Sequence, residues 1–278
     1  MAVSLEDRLC QTFGYGHVAL AGWARSAMVA LLESLHPAPN APFVFPANIC
    51  PAVLAAAVAA KMKPVPVAVA PDSGLAEDAS LADAIARSGK PGVVMPTHLY
   101  GARLPYPKTQ DAARAQGWFV LENDTMATTA GEKPSGFGDA LLVSFSHDKT
   151  LDAGAGGAIF ANSAPLVAAV QKRIAAWPVL SDAAEATETE LALARRHLRA
   201  AGTPAGAEEL FARDVANVRY ALPDHLRPAI SAALDRRDGI VRLKRDKLAL
   251  WNGALKGLET ELLPPSWSPQ VPWRAIRR

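Results

Sequence analysis

Lys149 stands at the end of an unusually loaded segment. An apolar run, Leu141 to Val143, leads into Ser144, Phe145, Ser146, His147 and Asp148, and Gly154-Ala155-Gly156-Gly157 closes the segment. Two hydroxyls, an imidazole and an amine precede a turn that only small residues can make. Against close-packed backbone a lysine is partly desolvated, which lowers its pKa and frees the amine to form a Schiff base with a carbonyl compound. The same residues also suit an exposed lysine before a glycine-rich hairpin, since Lys is among the least buried residue types. Which use holds depends on what the rest of the chain brings to the segment.

Four other patches have polar groups where elements meet. Arg25-Ser26-Ala27 opens a helix running to Leu35, and a helix start offers unbonded amides and the positive end of the helix dipole to an anion. Pro46-Ala47-Asn48-Ile49-Cys50-Pro51 reads as a loop between strand and helix. Leu121-Glu122-Asn123-Asp124-Thr125-Met126 ends a strand, either as ligand contacts or as a turn held by Asx-type hydrogen bonds. Ala216-Asn217-Val218-Arg219-Tyr220 is a short polar patch after a helix.

The elements that must position these groups follow from residues 40–160. Strand-like runs at 43–45, 65–69, 93–95 and 118–121 alternate with helical segments at 51–61, 80–87 and 109–116. Near-continuous apolar strands separated by helices predict a mostly parallel sheet buried on both faces. After Leu121 the helices stop and two strands follow, 141–145 and 158–160, which marks the sheet's centre and its ligand crevice. Downstream, Ser181 or Asp182 caps a helix that begins acidic and ends basic, in keeping with its dipole. A long helix then spans 226–255, with Leu234, Val241, Leu248 and Leu255 as a seam against the main domain or a partner subunit.

Composition bounds the classes. The chain has 278 residues, 50% of them hydrophobic, enough for one large core. A net charge of +2 points away from a nucleic-acid partner. The longest apolar stretch, 51–60, falls short of the ~20 residues that span a bilayer, so no membrane partner is expected. Cys10 and Cys50 have no metal-ligand spacing; no metal site is expected, and the cytoplasm suits them.

In this order, the patches resemble the DegT/DnrJ-type sugar aminotransferases, over roughly residues 12–275. The resemblance rests on Ser144-Phe145-Ser146, Lys149 and Leu151 with the following Gly154, Gly156 and Gly157, and on Gly136-Phe137-Gly138-Asp139 before them. It rests also on Pro96-Thr97-His98-Leu99-Tyr100-Gly101, on the Arg25-Ser26-Ala27 helix start, and on the segment 66–74. It implies an α/β fold: a three-layer α/β/α large domain of the pyridoxal-phosphate (PLP) transferase type over 1–225, with a mostly parallel central sheet. Residues 226–278 would be a long helix and a truncated small C-terminal domain, the chain ending at Arg278.

The resemblance also implies PLP as cofactor and an aminotransferase moving an amino group, with glutamate as a donor, to a keto-sugar nucleotide. Lys149 would be the catalytic Schiff-base lysine. Ser144 and the amides of Ser26 and Ala27 would hold the cofactor phosphate. Asn217 would reach the neighbour's phosphate across a homodimer.

Three positions depart from the family pattern. Asn123 stands where an aspartate pairs with the pyridine nitrogen, Met126 where a polar side chain is usual, and Cys50 (or Ile49) where an aromatic ring covers the cofactor face. These departures and the short C-terminus leave open a second reading, a non-transaminating homologue that binds cofactor or serves as an assembly partner. A third is a plain dimeric α/β protein in which Lys149 is incidental.

Overall fold

A computed structural model describes residues 3–101, 104–126, 137–202 and 205–254. In chain order the elements are α1 (Leu5–Phe13), β1 (His17–Ala21), α2 (Ala24–Ser34), β2 (Pro42–Pro46), α3 (Pro51–Ala59), β3 (Lys63–Val67), α4 (Asp78–Arg87) and β4 (Val93–Val94). They continue with α5 (Pro107–Gln116), β5 (Phe119–Asn123), β6 (Ala140–Ser144), β7 (Gly157–Ala161), α6 (Ala164–Ala175), α7 (Asp182–Ala201), α8 (Ala207–Ala216) and α9 (Leu226–Ala254).

Strands β2 and β7 are apolar throughout and β6 up to Val143, and every position of the three is buried, as strands covered on both faces must be. Its order is β1-β7-β6-β5-β4-β2-β3. Only β7 runs against the other strands, pairing antiparallel with β1 and β6. The α/β class and mostly parallel sheet expected from the sequence are therefore present, with β5 at the centre.

Alternation along each strand sorts side chains to two faces. Ala19, Leu121, Leu142 and Ile159 point to a core shared with α2, α3 and α6. Val18, Leu141, Val143 and Phe160 point the other way, onto α1 and the start of α9. Val44, Val94 and Val120 pack on α4 and α5 at the other end of that second face. Helix α2 is buried continuously from Ser26 to Leu32, the pattern of a helix enclosed on every side.

The long C-terminal helix appears as α9, and its Ile230 and Ala233 join the same cluster as β6 and β7. Of the expected seam, Val241 is buried and Leu234 and Leu248 are half-buried. Leu255 and the rest of the expected small domain, 255–278, lie outside the described residues, as does Gly136. No described helix is long and apolar enough to cross a membrane.

Candidate active site

The loop between β6 and β7 is fixed before Lys149 is considered. Phe145 and Leu151 are fully buried anchors on the α9 side of the sheet. The Phe145 amide donates to the Gly156 carbonyl (3.0 Å) and the Ala153 amide to the Phe145 carbonyl (2.8 Å). The Asp152 carboxylate accepts from the amides of Gly154 (2.8 Å) and Asp148 (3.2 Å), stapling the loop from within. Asp148 itself takes a left-handed φ of 68°. Lys149, half-buried, donates its own amide to Ser146 (3.3 Å). The loop thus holds a fixed backbone beneath the amine.

Gly157 brings the second group in. It pairs with Ser144 across β6 and β7, and its backbone lies directly against the first residue of α2. The Gly156 amide donates to the Gly22 carbonyl (2.8 Å), tying the loop to the approach of that helix. Trp23, the residue before α2, offers no side-chain cap. The first helical bond runs from the Ala27 amide to the Trp23 carbonyl (3.0 Å). The Ala27 amide is thus bonded within the helix, the Ala24 amide lies against Gly156 and Gly157, and the helical ladder leaves the amides of Arg25 and Ser26 without a partner in the helix. The Ser26 hydroxyl, fully buried, has no hydrogen-bond partner among the described residues. Ser144 Oγ accepts from the Ser146 amide (3.3 Å) and keeps further acceptor and donor capacity.

Arg25 and Asn217 meet at the same place, in one chain. The Arg25 Nε donates to the Asn217 carbonyl (3.0 Å), and the Tyr220 hydroxyl donates to Asn217 Oδ1 (2.9 Å). Asn217 Nδ2 is buried without a partner among the described residues. The Arg25 guanidinium lies 3.6 Å from the centre of the Trp23 ring and pairs with Glu188 of α7 (2.8 Å). Glu188 also pairs with Arg195 (2.7 Å), which bonds the buried Asp214. Burial pushes the Arg25 pKa down, with Arg195 adding to the effect; Glu188, Asp214 and Cys50 oppose it. A buried cation at the start of a helix faces an unfavourable dipole, and Glu188 offsets it.

The end of β5 supplies the third side. Asn123 points to the α2 face with Leu121, is buried, and accepts from the Thr125 amide (3.1 Å), an Asx turn. Glu122 points to the opposite face, where it meets His98 Nε2 at 2.7 Å with both side chains fully buried. The Leu104 amide approaches His98 Nδ1 (3.4 Å), so Nδ1 accepts and Nε2–H donates to the carboxylate. Asp124, fully buried, follows the strand and bonds the Leu142 carbonyl through its amide. Met126 packs into a small apolar cluster with Leu75, Leu99 and Tyr100. Cys50 is exposed at the start of α3, within electrostatic reach of Arg25, whereas Ile49 packs against the main core. Among the described residues no group of His, Cys, Asp and Glu could hold a metal.

The family model for the DegT/DnrJ/EryC1/StrS aminotransferases matches residues 2–273. The chain belongs to this family. Its enzymes are PLP-dependent transaminases. No curated protein matches the sequence. Among solved structures, a DegT DnrJ EryC1 StrS aminotransferase from Brucella abortus superposes with a TM-score of 0.71 at 21% identity, over 97% of this chain and 67% of that one. DesI in the presence of its TDP-sugar product gives 0.70 at 20%, over 94% and 59%. NtdA from Bacillus subtilis with bound PMP, the cofactor's amine form, gives 0.68 at 18%, over 97% and 56%. At these identities the likeness is one of fold, and the chain spans between 56% and 67% of those proteins' lengths.

The residues present fit the family's cofactor at two of its ends. The start of α2, with amides that the helix leaves unbonded and a buried Ser26 hydroxyl that has no partner among the described residues, suits a phosphate, and an amine on a fixed loop suits an aldehyde. At the ring nitrogen the fit is weaker, because Asn123 is neutral and its Oδ1 already accepts from Thr125.

Proposed function

We propose that this chain is a PLP-dependent sugar aminotransferase that transfers an amino group, from a donor such as glutamate, to a keto-sugar nucleotide. The observation that supports this most is the convergence of two sequence-distant regions: the start of α2 with its Ser26 hydroxyl, partnerless among the described residues, and the β6–β7 segment, in which Ser144 pairs with Gly157 and Lys149 follows five residues on. DesI, of the same fold, was solved with a TDP-sugar product, which supports the substrate class.

In this reading Ser26, Ser144 and the α2 amides hold the phosphate. Lys149 holds the aldehyde carbon and moves a proton at the substrate carbon. Asn123 takes the ring nitrogen, and Met126 and Cys50 line the ring's surroundings. When bound, the cofactor supplies an electron-withdrawing ring that stabilises the carbanion left by proton removal. Asn217, whose buried Nδ2 has no partner among the described residues, is proposed to complete the site in a homodimer. We retain the division of the chain at 225/226 and a cytoplasmic setting as parts of the same proposal.

The purified protein mixed with PLP is expected to give a visible absorption band that L-glutamate discharges. Absence of the band would refute the proposal; a band that glutamate leaves untouched would reduce it to cofactor binding. Asn123 makes a second expectation. A charge-assisted hydrogen bond exceeds a neutral one by about 1.4 kcal/mol, about tenfold in rate. Asn123→Asp should therefore speed the glutamate half-reaction about tenfold in single-turnover kinetics. An unchanged rate would show that Asn123 does not face the ring nitrogen.

A further inference from the structure

We infer that Asp152 is a positioning residue for Lys149: by accepting from backbone amides on both sides of the lysine, its carboxylate keeps Asp148 left-handed and so sets where the amine stands. This rests on the reading of Lys149 as the Schiff-base lysine.

A lysine amine rides on a flexible four-carbon stem, so it is placed only as well as the backbone beneath it. Downstream of Lys149 that backbone has buried anchors. Thr150 and Leu151 are buried, and Thr150 Oγ1 accepts from Lys244 Nζ of α9 (3.1 Å). Upstream, Phe145 is buried and joined to Ala153 and Gly156. Between these anchors Ser146 is half-buried, and His147 and Asp148 are exposed. Packing does not set the chain direction there, which leaves the task to hydrogen bonds.

Asp152 acts from the far side of the lysine. One of its oxygens accepts from the Gly154 amide (2.8 Å) and the other from the Asp148 amide (3.2 Å). A carboxylate accepts at both oxygens, so one side chain ties the residue before Lys149 to a glycine beyond it. His147 Nδ1 stands 3.6 Å from the oxygen that Gly154 uses, outside hydrogen-bond distance.

The tie holds a strained residue. Asp148 has φ 68°, whereas the other left-handed positions of the loop, at φ 89° and 106°, are Gly154 and Gly156. Glycine takes such angles without cost. A residue with a Cβ is strained there and stays only where its surroundings over-determine it. The amide that Asp152 holds is that of Asp148 itself. Freed, Asp148 would relax toward negative φ. Rotation about that bond turns the chain that follows, so Lys149 would be re-aimed.

The test separates the bond from the backbone direction it enforces. In PLP titrations of the visible band, Asp152→Ala is expected to weaken binding about 10²-fold, the weight of a displacement of about 1 Å at a positioned group. Adding Asp148→Gly should recover about tenfold, because glycine is left-handed without the Cβ penalty. Adding Asp148→Ala instead deletes the same carboxylate without that freedom and should recover nothing. Hydrogen exchange of the cofactor-free proteins, read on the 146–154 peptide, should exceed wild type in all three variants, since each lacks the acceptor. Recovered binding with the bond still absent is the signature of positioning; a staple with a purely structural role would not give it.

An Asp152→Ala variant that binds PLP as tightly as wild type overturns the inference, and so does equal recovery with Gly and Ala at 148. If Asp152→Ala does not fold, Asp152→Asn replaces it in the same comparison. It keeps one accepting oxygen for two amides, and its expected loss is about tenfold. A wild-type protein that gives no band refutes the Schiff-base reading and the inference with it. A band indifferent to Asp152 refutes the role of Asp152 alone.

Discussion

Lys149→Ala is expected to remove the visible band given with PLP and to slow transamination by at least about four orders of magnitude. Two losses combine. The amine that would condense with the aldehyde is gone, and so is the group that would move the proton, a contribution of about 10²–10⁴ by itself. The fold should be indifferent. The loop is held by the buried Phe145 and Leu151 and by the Asp152 staple, none of which uses the lysine side chain. A melting curve within about 0.5 kcal/mol of wild type is therefore expected, measured alongside absorption and single-turnover rates. A band that survives would mean that another amine takes the aldehyde. Lys244, half-buried beside the same loop, is the first candidate, and the double variant Lys149→Ala, Lys244→Gln would identify it.

What was legible in the sequence divides along physical lines. The parallel strands and their helices were legible because each is a short apolar run between breakers, a local signal. Helix α5 begins at Pro107, two residues before the expected start, and β3 ends at Val67, two residues early, which is the ordinary uncertainty of element ends. That uncertainty mattered at α2. Which amides are left over depends on where the first helical bond falls, and Trp23 supplies no capping side chain to announce it.

Strand β1 has no strong local pattern, because its place is set by pairing with β7, far along the chain. Helix α1 did carry a signal: the Ser4 hydroxyl accepts from the Asp7 amide (3.1 Å), a cap readable from the residue types. The meeting of Arg25 with Asn217, and of His98 with Glu122, joins residues that no local rule relates. The seam of α9 was legible where it is apolar: Leu234, Val241 and Leu248 are half-buried or buried, whereas Arg237 and Lys244, also half-buried, carry no apolar signal.

Gly157→Ala joins fold and site in one substitution. A Cβ built on Gly157 would lie 2.2 Å from the Ala24 amide nitrogen, 2.3 Å from its Cα and 2.7 Å from the Trp23 carbonyl carbon, all backbone atoms that no rotamer change can move. Neither side can retreat without breaking contacts. Gly157 is paired on one edge with Ala21 and on the other with Ser144, and α2 is buried from Ser26 through Leu32. The expected cost is about 3 kcal/mol or more, a fall in Tm of roughly 6–12 °C. Relief comes by shifting the start of α2 away from Ser144, which separates the groups proposed to hold the phosphate. A misplacement of about 1 Å costs about 10²-fold in a positioned site, so PLP binding, followed by titration, should weaken beyond what partial unfolding explains.

Gly202→Ala is the matched control. Gly202 ends α7 at φ +63° with no atom of the described residues within 4 Å of an added Cβ, so its cost is backbone strain of about 1–2 kcal/mol with no change in cofactor affinity. If Gly157→Ala melts no lower than Gly202→Ala and binds PLP as tightly as wild type, the start of α2 is not clamped by β7. The proposed cradle would then lose its rigid wall.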